Sequence, residues 1–144
     1  MQSMDMNLVF VAAKRSRGAA APKETNVDSN GMGMLGEVRA EQYLAERGYQ
    51  ILARNAVFPG AEIDLIAQDG RVIVFVEVKM RTGGASYGRE AVTLAKQKRI
   101  CKGALLYMAK NGLTERQARF DVIELQGARL THIKDAFPYR GPVF

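Results

Sequence analysis

The stretch from Glu62 to Lys79 constrains the fold more than any other part of the chain. Glu62-Ile63-Asp64-Leu65-Ile66-Ala67 and Val72-Ile73-Val74-Phe75-Val76-Glu77-Val78-Lys79 lie on either side of Asp69-Gly70. β-Branched and aromatic residues around an Asp-Gly pair are the sequence form of a β-hairpin. With Asp69-Gly70 as a two-residue turn, Glu62 lies opposite Glu77 and Asp64 opposite Phe75. Side chains alternate between the two faces of such a pair. One face then carries Ile63, Leu65, Ala67, Val72, Val74, Val76 and Val78, all apolar. The other carries Ile66, Ile73 and Phe75 near the turn, and Glu62, Asp64, Glu77 and Lys79 at its open end.

The segments around this hairpin complete an α/β chain. Leu35 to Arg47 predicts a helix stopped at Gly48. Ile51 to Val57 predicts a first strand, ended by Phe58-Pro59-Gly60. A loop with three glycines spans Arg81 to Gly88, and Glu90 to Lys110 predicts a long helix with Leu94, Cys101, Leu105 and Met108 on one face. Arg119 to Leu125 and, more weakly, Leu130 to Phe137 predict late strands. Helix, three strands, helix and one or two strands make an α/β fold around a mixed central sheet flanked by helices. Residues 1–33 keep no period of either kind and predict a disordered N-terminal tail, leaving 34–144 as the domain.

Three carboxylates and a lysine at the open end of an apolar hairpin call for an explanation. Like charges facing each other destabilise a sheet, and desolvation adds to the cost. A divalent cation relieves both, since Mg²⁺ is held by one or two carboxylates and keeps waters for a substrate phosphate. The alternative is a solvated hairpin end with ordinary Glu77–Lys79 or Asp64–Lys79 ion pairs. The near-total apolar content of Val72 to Val78 reads as a central strand and weighs against it. Glu37 adds a second anomaly: at 100° per residue it falls within the apolar arc of Met34, Ala40 and Leu44. A glutamate in a first helical turn, favoured by the helix dipole, is the competing explanation.

Composition limits the chemistry. One cysteine, Cys101, and one histidine, His132, exclude an intrachain disulfide, a cysteine-based zinc site and a histidine pair. A metal site here must be a hard cation on carboxylates. Cys101 reads as a core residue, and His132 as an ordinary surface side chain. No apolar run reaches the ~20 residues that cross a membrane, and basic residues follow rather than precede the apolar Asn7 to Ala13, so the chain reads as cytoplasmic. The net charge is +6, from 21 basic and 15 acidic residues, and the surplus lies in the domain rather than the tail. That balance points to an anionic partner, nucleic acid first in line, and equally to a merely soluble basic protein, between which charge alone does not choose.

Gly36-Glu37, Glu62 to Ala67 and Val74-Phe75-Val76-Glu77-Val78-Lys79-Met80-Arg81 together resemble the YraN-type family of uncharacterised, predicted endonucleases. Arg54-Asn55, Ala91-Val92-Thr93, Lys98-Arg99-Ile100 and Phe120-Asp121-Val122-Ile123 extend the likeness over about residues 34 to 125. That family resembles the PD-(D/E)xK nuclease superfamily and, within it, the archaeal Holliday junction resolvases. The resemblance implies a restriction-endonuclease-like αβββαβ core. It also implies a site in which Asp64 and Glu77 bind Mg²⁺ or Mn²⁺, Lys79 is catalytic and Glu37 completes the set. Glu62 would be a further ligand or a partner of one. Ile63 stands where the superfamily has a proline before its aspartate. The implied reaction is hydrolysis of a DNA phosphodiester, with branched or structured DNA as substrate and a homodimer by analogy with the resolvases.

The basic residues supply a DNA-binding surface for that reading. Lys96, Lys98, Arg99 and Lys102 lie on the second helix with no acid between Glu90 and Glu115, and predict backbone contacts, the alternative being a solvated helix face. Arg81 and Arg89 flank the glycine-rich loop and predict a phosphate grip near Lys79, the alternative being a plain linker. Asp121 predicts a strand residue paired with an arginine. The rival function is a nucleic-acid-binding module with a nuclease-like fold that does not cut.

Overall fold

The computed structural model describes residues 29–81 and 92–141. Helix α1 runs Ser29–Glu46, followed by strands β1 Gln50–Phe58, β2 Ala61–Asp69 and β3 Val72–Met80. Helix α2, Leu94–Lys110, leads to strands β4 Ala118–Gln126 and β5 Arg129–Phe137. The αβββαβ order is therefore present, with β5 as a full fifth strand. The sheet is mixed and its strands lie in the order β1-β2-β3-β4-β5. Only β3 and β4 run parallel, across the α2 crossover; the other neighbours are antiparallel.

Both helices start elsewhere than their sequence patterns suggest. α1 begins at Ser29 rather than Leu35 and leaves through Gly48, whose φ is +89°. α2 begins at Leu94 rather than Glu90, because Thr93 is extended and caps it, its hydroxyl accepting the Lys96 N–H at 3.2 Å. The proposed tail as far as residue 28, and the loop 82–91 with Arg89, lie outside the described residues.

The hairpin register also differs, by two residues. Leu65 pairs with Val76, Ile66 with Phe75 and Asp69 with Val72, so the turn residues are Gly70-Arg71. Gly70 has φ +63°, as a glycine-first type II′ turn requires. A slip of two preserves which face each side chain takes, so the acids stay together and Asp64, not Glu62, lies nearest to Glu77. One residue does change face. Ala53 and Ala56 are three apart, yet both pack on the α2 side, and so do their partners Ile66 and Ile63. Asn55, between the alanines, has φ +47°, a left-handed conformation that Asn tolerates better than most residues. The kink it makes turns Ile63 away from Leu65 and onto the α2 layer, against the strict alternation expected.

Two apolar layers hold the sheet. On one side Ala40 and Leu44 of α1 pack on Leu65, Val74, Val76, Ile123 and Leu125. On the other, Ile100, Cys101, Ala104, Tyr107 and Met108 of α2 pack on Ile66, Ile73, Phe75 and Phe120. Cys101 is a core residue, as its place in the helix suggested. Leu94, expected on the buried face, is exposed, since the buried stripe starts one turn later at Gln97.

A buried polar knot ties β4 and β5 to α1. Asp121 is wholly buried and pairs with Arg119, the arginine partner anticipated for it, at 3.0 Å. It also accepts the Asp135 N–H at 2.9 Å, where positive φ at Asp135 breaks the β4–β5 ladder. His132 is buried rather than a surface residue: its Nε2 lies 2.8 Å from Asp121 and its Nδ1 3.2 Å from the Tyr43 hydroxyl.

Candidate active site

The site forms where β2 and β3 part. Their paired register ends at Leu65–Val76. Beyond it the Val78 N–H donates to the Asp64 carboxylate, at 2.8 Å. This holds the aspartate in the cleft between the strands. Glu77 faces it from β3 and is almost fully buried, 5% exposed. Glu37 reaches in from α1, where Asp64 and the Asn55 side chain both act on its carboxyl. Because α1 starts at Ser29, Glu37 sits two turns into the helix, and the first-turn dipole no longer accounts for it. Gly36 brings α1 close to the sheet here: a Cβ on it would stand 2.5 Å from Met80 Sδ.

The electrostatics are those of too much negative charge in too little water. Burial raises the Asp64 carboxyl well above the ordinary aspartate range, and the charges of Glu77 and Glu37 push it further. The Val78 N–H and the Lys96 charge pull the other way without prevailing. Burial likewise raises Glu37, against the hydrogen bonds to Asn55 and Asp64 and with the help of Glu62 and Glu77. Interacting carboxyl groups of this kind titrate as a set rather than singly.

Among the described residues the cation inside the cluster is Lys96, whose Nζ lies 2.7 Å from Glu77 Oε2. Its sequence position suggested a DNA-backbone contact instead. Lys79 follows Glu77 by two residues and shares its face of β3, half-buried and without an ion pair to any described residue. Glu62 is exposed at the rim. Arg81 is less available than its place beside the loop suggested, since its Nε donates to Glu124 at 2.8 Å. Lys98, Arg99 and Lys102 are exposed on α2. A cavity of about 470 Å³ opens between the β1–β2 turn at Gly60-Ala61 and α2, with Glu62 and Asp64 facing Lys96 and Arg99 across it.

Asn55 and Lys96 are the site residues that the hairpin alone does not reveal. An asparagine inside a strand is the sequence signal for the first, through its tolerance of positive φ. Lys96 was legible as a cation of the second helix but not as the partner of Glu77, because only the packing of α2 over the sheet brings the two together.

The donor set fits a hard divalent cation in chemistry: carboxylates from one helix and two strands, whose burial and mutual charge raise the Asp64 and Glu37 carboxyls. As they stand, no three carboxylate, histidine or cysteine side chains among the described residues are spaced as a finished metal site.

A family model described as uncharacterised protein family UPF0102 matches residues 36–125. The chain belongs to the UPF0102 family. A UPF0102 protein of Symbiobacterium thermophilum is 51% identical over 100 residues, covering 68% of this chain and 84% of the relative. One of Geobacter metallireducens is 44% identical over 118 residues, covering 78% of this chain and 96% of the relative. The YraN-type resemblance is thereby shown. The UPF0102 match opens at Gly36, next to Glu37, and closes within β4, so it contains every acid of the site together with Lys79 and Lys96. β5 and His132 lie beyond it.

Proposed function

We propose that this protein is a metal-dependent endonuclease acting on DNA, with branched or structured DNA as its substrate class. The observation that carries the reading is the gathering of Glu37, Asp64 and Glu77, from one helix and two strands, where β2 and β3 part: Asp64 is held there by the Val78 N–H, Glu77 is buried beside it, and burial with the neighbouring acids raises the Asp64 and Glu37 carboxyls. A structural role does not need such a cluster, because apolar side chains at these positions would stabilise the protein more.

Asp64 and Glu77 would hold Mg²⁺ or Mn²⁺, with Glu37 and Glu62 adjoining. When bound, the cation supplies Lewis-acid polarisation of a phosphoryl oxygen and a water of lowered pKa. Asp64 is held for this by the Val78 N–H, and Glu37 by Asn55. Lys79, on the same face of β3 as Glu77, orients the attacking water or stabilises charge on the phosphorus oxygens. Lys98, Arg99 and Lys102 bind the DNA backbone without reading sequence. A cytoplasmic homodimer completes the proposal; no helix among the described residues is long and apolar enough to cross a membrane.

The test is incubation with branched, flapped and single-stranded DNA, in Mn²⁺ and in EDTA. Cleavage in Mn²⁺ is expected to disappear in EDTA and in Asp64→Ala. A second reading, a DNA-binding module that does not cut, has its own observation: Lys96 already neutralises Glu77. It predicts binding that survives EDTA and Asp64→Ala, with no cleavage of any substrate.

A further inference from the structure

Lys96 and Glu77 form an unequal pair. Glu77 is anchored: it is 5% exposed and stands on the central strand β3. The Lys96 side chain is 36% exposed. Its backbone is fixed by the Thr93 cap, but its four-carbon stem is free to turn. If the contact breaks, Lys96 is the end that moves. Where it would go is visible too. Lys96 lines the cavity of about 470 Å³ beside Asp64, with Arg99 one turn further along α2 on the same cavity wall. Two cations three residues apart on one helix repel each other, and Lys96 feels the Arg99 charge. An anion between them would relieve that repulsion.

Resting on the nuclease reading above, we propose that Lys96 is an exchangeable counter-ion. It holds Glu77 while the cluster lacks a divalent cation, and turns to a substrate phosphate in the adjoining cavity once a cation takes Glu77. A single ammonium cannot hold both partners, so cation binding and phosphate binding support each other through this side chain. The arrangement makes a phosphate grip that is complete only when the metal site is filled. Lys96 thus acts beside Lys79 rather than in its place.

The experiment is calorimetric titration of the full chain with MnCl₂, for wild type, Lys96→Met and Lys96→Arg. Lys96→Met keeps the stem and removes the competing charge, so Mn²⁺ is expected to bind about tenfold more tightly, the equivalent of about 1.4 kcal/mol. Lys96→Arg offers Glu77 a forked partner that is harder to displace, and Mn²⁺ is expected to bind more weakly. Mn²⁺ affinity that is equal or weaker in Lys96→Met overturns the exchange and leaves the nuclease reading standing. If the methionine variant does not fold, unchanged or tighter Mn²⁺ binding by Lys96→Arg overturns it instead. Binding of Mn²⁺ by none of the three overturns both readings.

A second arm measures the affinity of a fluorescein-labelled DNA flap in EDTA and in Ca²⁺, which fills oxygen sites and is chosen to leave the DNA uncut. Wild type is expected to gain affinity in Ca²⁺ and Lys96→Met to lose that gain. A gain of the same size in both proteins overturns the turn to phosphate.

Discussion

Asp121 and Asp64, on two strands of this sheet, are expected to act on stability in opposite directions. Asp121 is pushed up by burial, but His132, Arg119 and the Asp135 N–H outweigh that and hold it below the ordinary aspartate range. Its contribution is full above the unfolded-chain value of about 4 and is lost as pH falls through its lower folded value. Asp64 and Glu37 are raised, chiefly by burial. The folded chain keeps a proton there that the unfolded chain releases, so stability falls as pH rises from about 4 through their folded values. Thermal unfolding in EDTA across the acid to neutral range is therefore expected to trace a dome, and Asp64→Asn to flatten its neutral side. The amide still accepts the Val78 N–H but carries no charge. Asp64→Asn should gain about 0.5–2 kcal/mol at neutral pH without metal, as removal of a strained functional group does, while losing the proposed cleavage. Equal or lower neutral stability in Asp64→Asn would count against a repulsive cluster. The charge types were legible at this scale, since three acids against a single lysine stand out at the end of an apolar hairpin. The fates of His132 and Lys96 were not, because each is fixed by partners on elements distant in sequence.

The elements are mostly where their residues put them, and the exceptions have local causes. The hairpin was legible from two apolar runs, but Asp69-Gly70 and Gly70-Arg71 are both competent turns, and pattern alone does not choose between them. The observed choice puts Asp69 within 3.2 Å of Arg119 on β4, a long-range contact invisible in the hairpin itself. The kink at Asn55 was equally hidden, although it brings Ile63 onto α2. That contact demands a small residue on the helix. A Cβ on Gly103 would stand 2.9 Å from the Phe58 ring and 3.3 Å from Ile63 Cδ1. A buried ring cannot yield as a flexible chain end can, so Gly103→Ala is expected to destabilise by about 1–3 kcal/mol. This outweighs the gain of up to about 1 kcal/mol that alanine gives inside a helix. Chemical denaturation of the two proteins measures the difference; a stabilised Gly103→Ala would mean that α2 sits farther from the kink than described.

Across the whole molecule, charge is divided by location rather than spread evenly. The acids that define the site are drawn inward by the parting of β2 and β3, while Lys98, Arg99 and Lys102 stay exposed along α2. These three cations make an exposed positive face on α2, of the kind that attracts a polyanion. Under the proposed function, each exposed cation that meets a DNA phosphate releases a counter-ion, adding about 0.9 to the slope of log affinity against log salt. Replacing Lys98, Arg99 and Lys102 together with alanine is expected to lower that slope by about two to three and to weaken every DNA sequence alike. The fold should be indifferent, since exposed charges on a helix face contribute little to stability. Fluorescence anisotropy with a labelled flap at several salt concentrations gives the slope directly. A triple variant with the wild-type slope would move the DNA to another face of the molecule. That outcome would also separate the cavity beside Lys96 from the path of the strand.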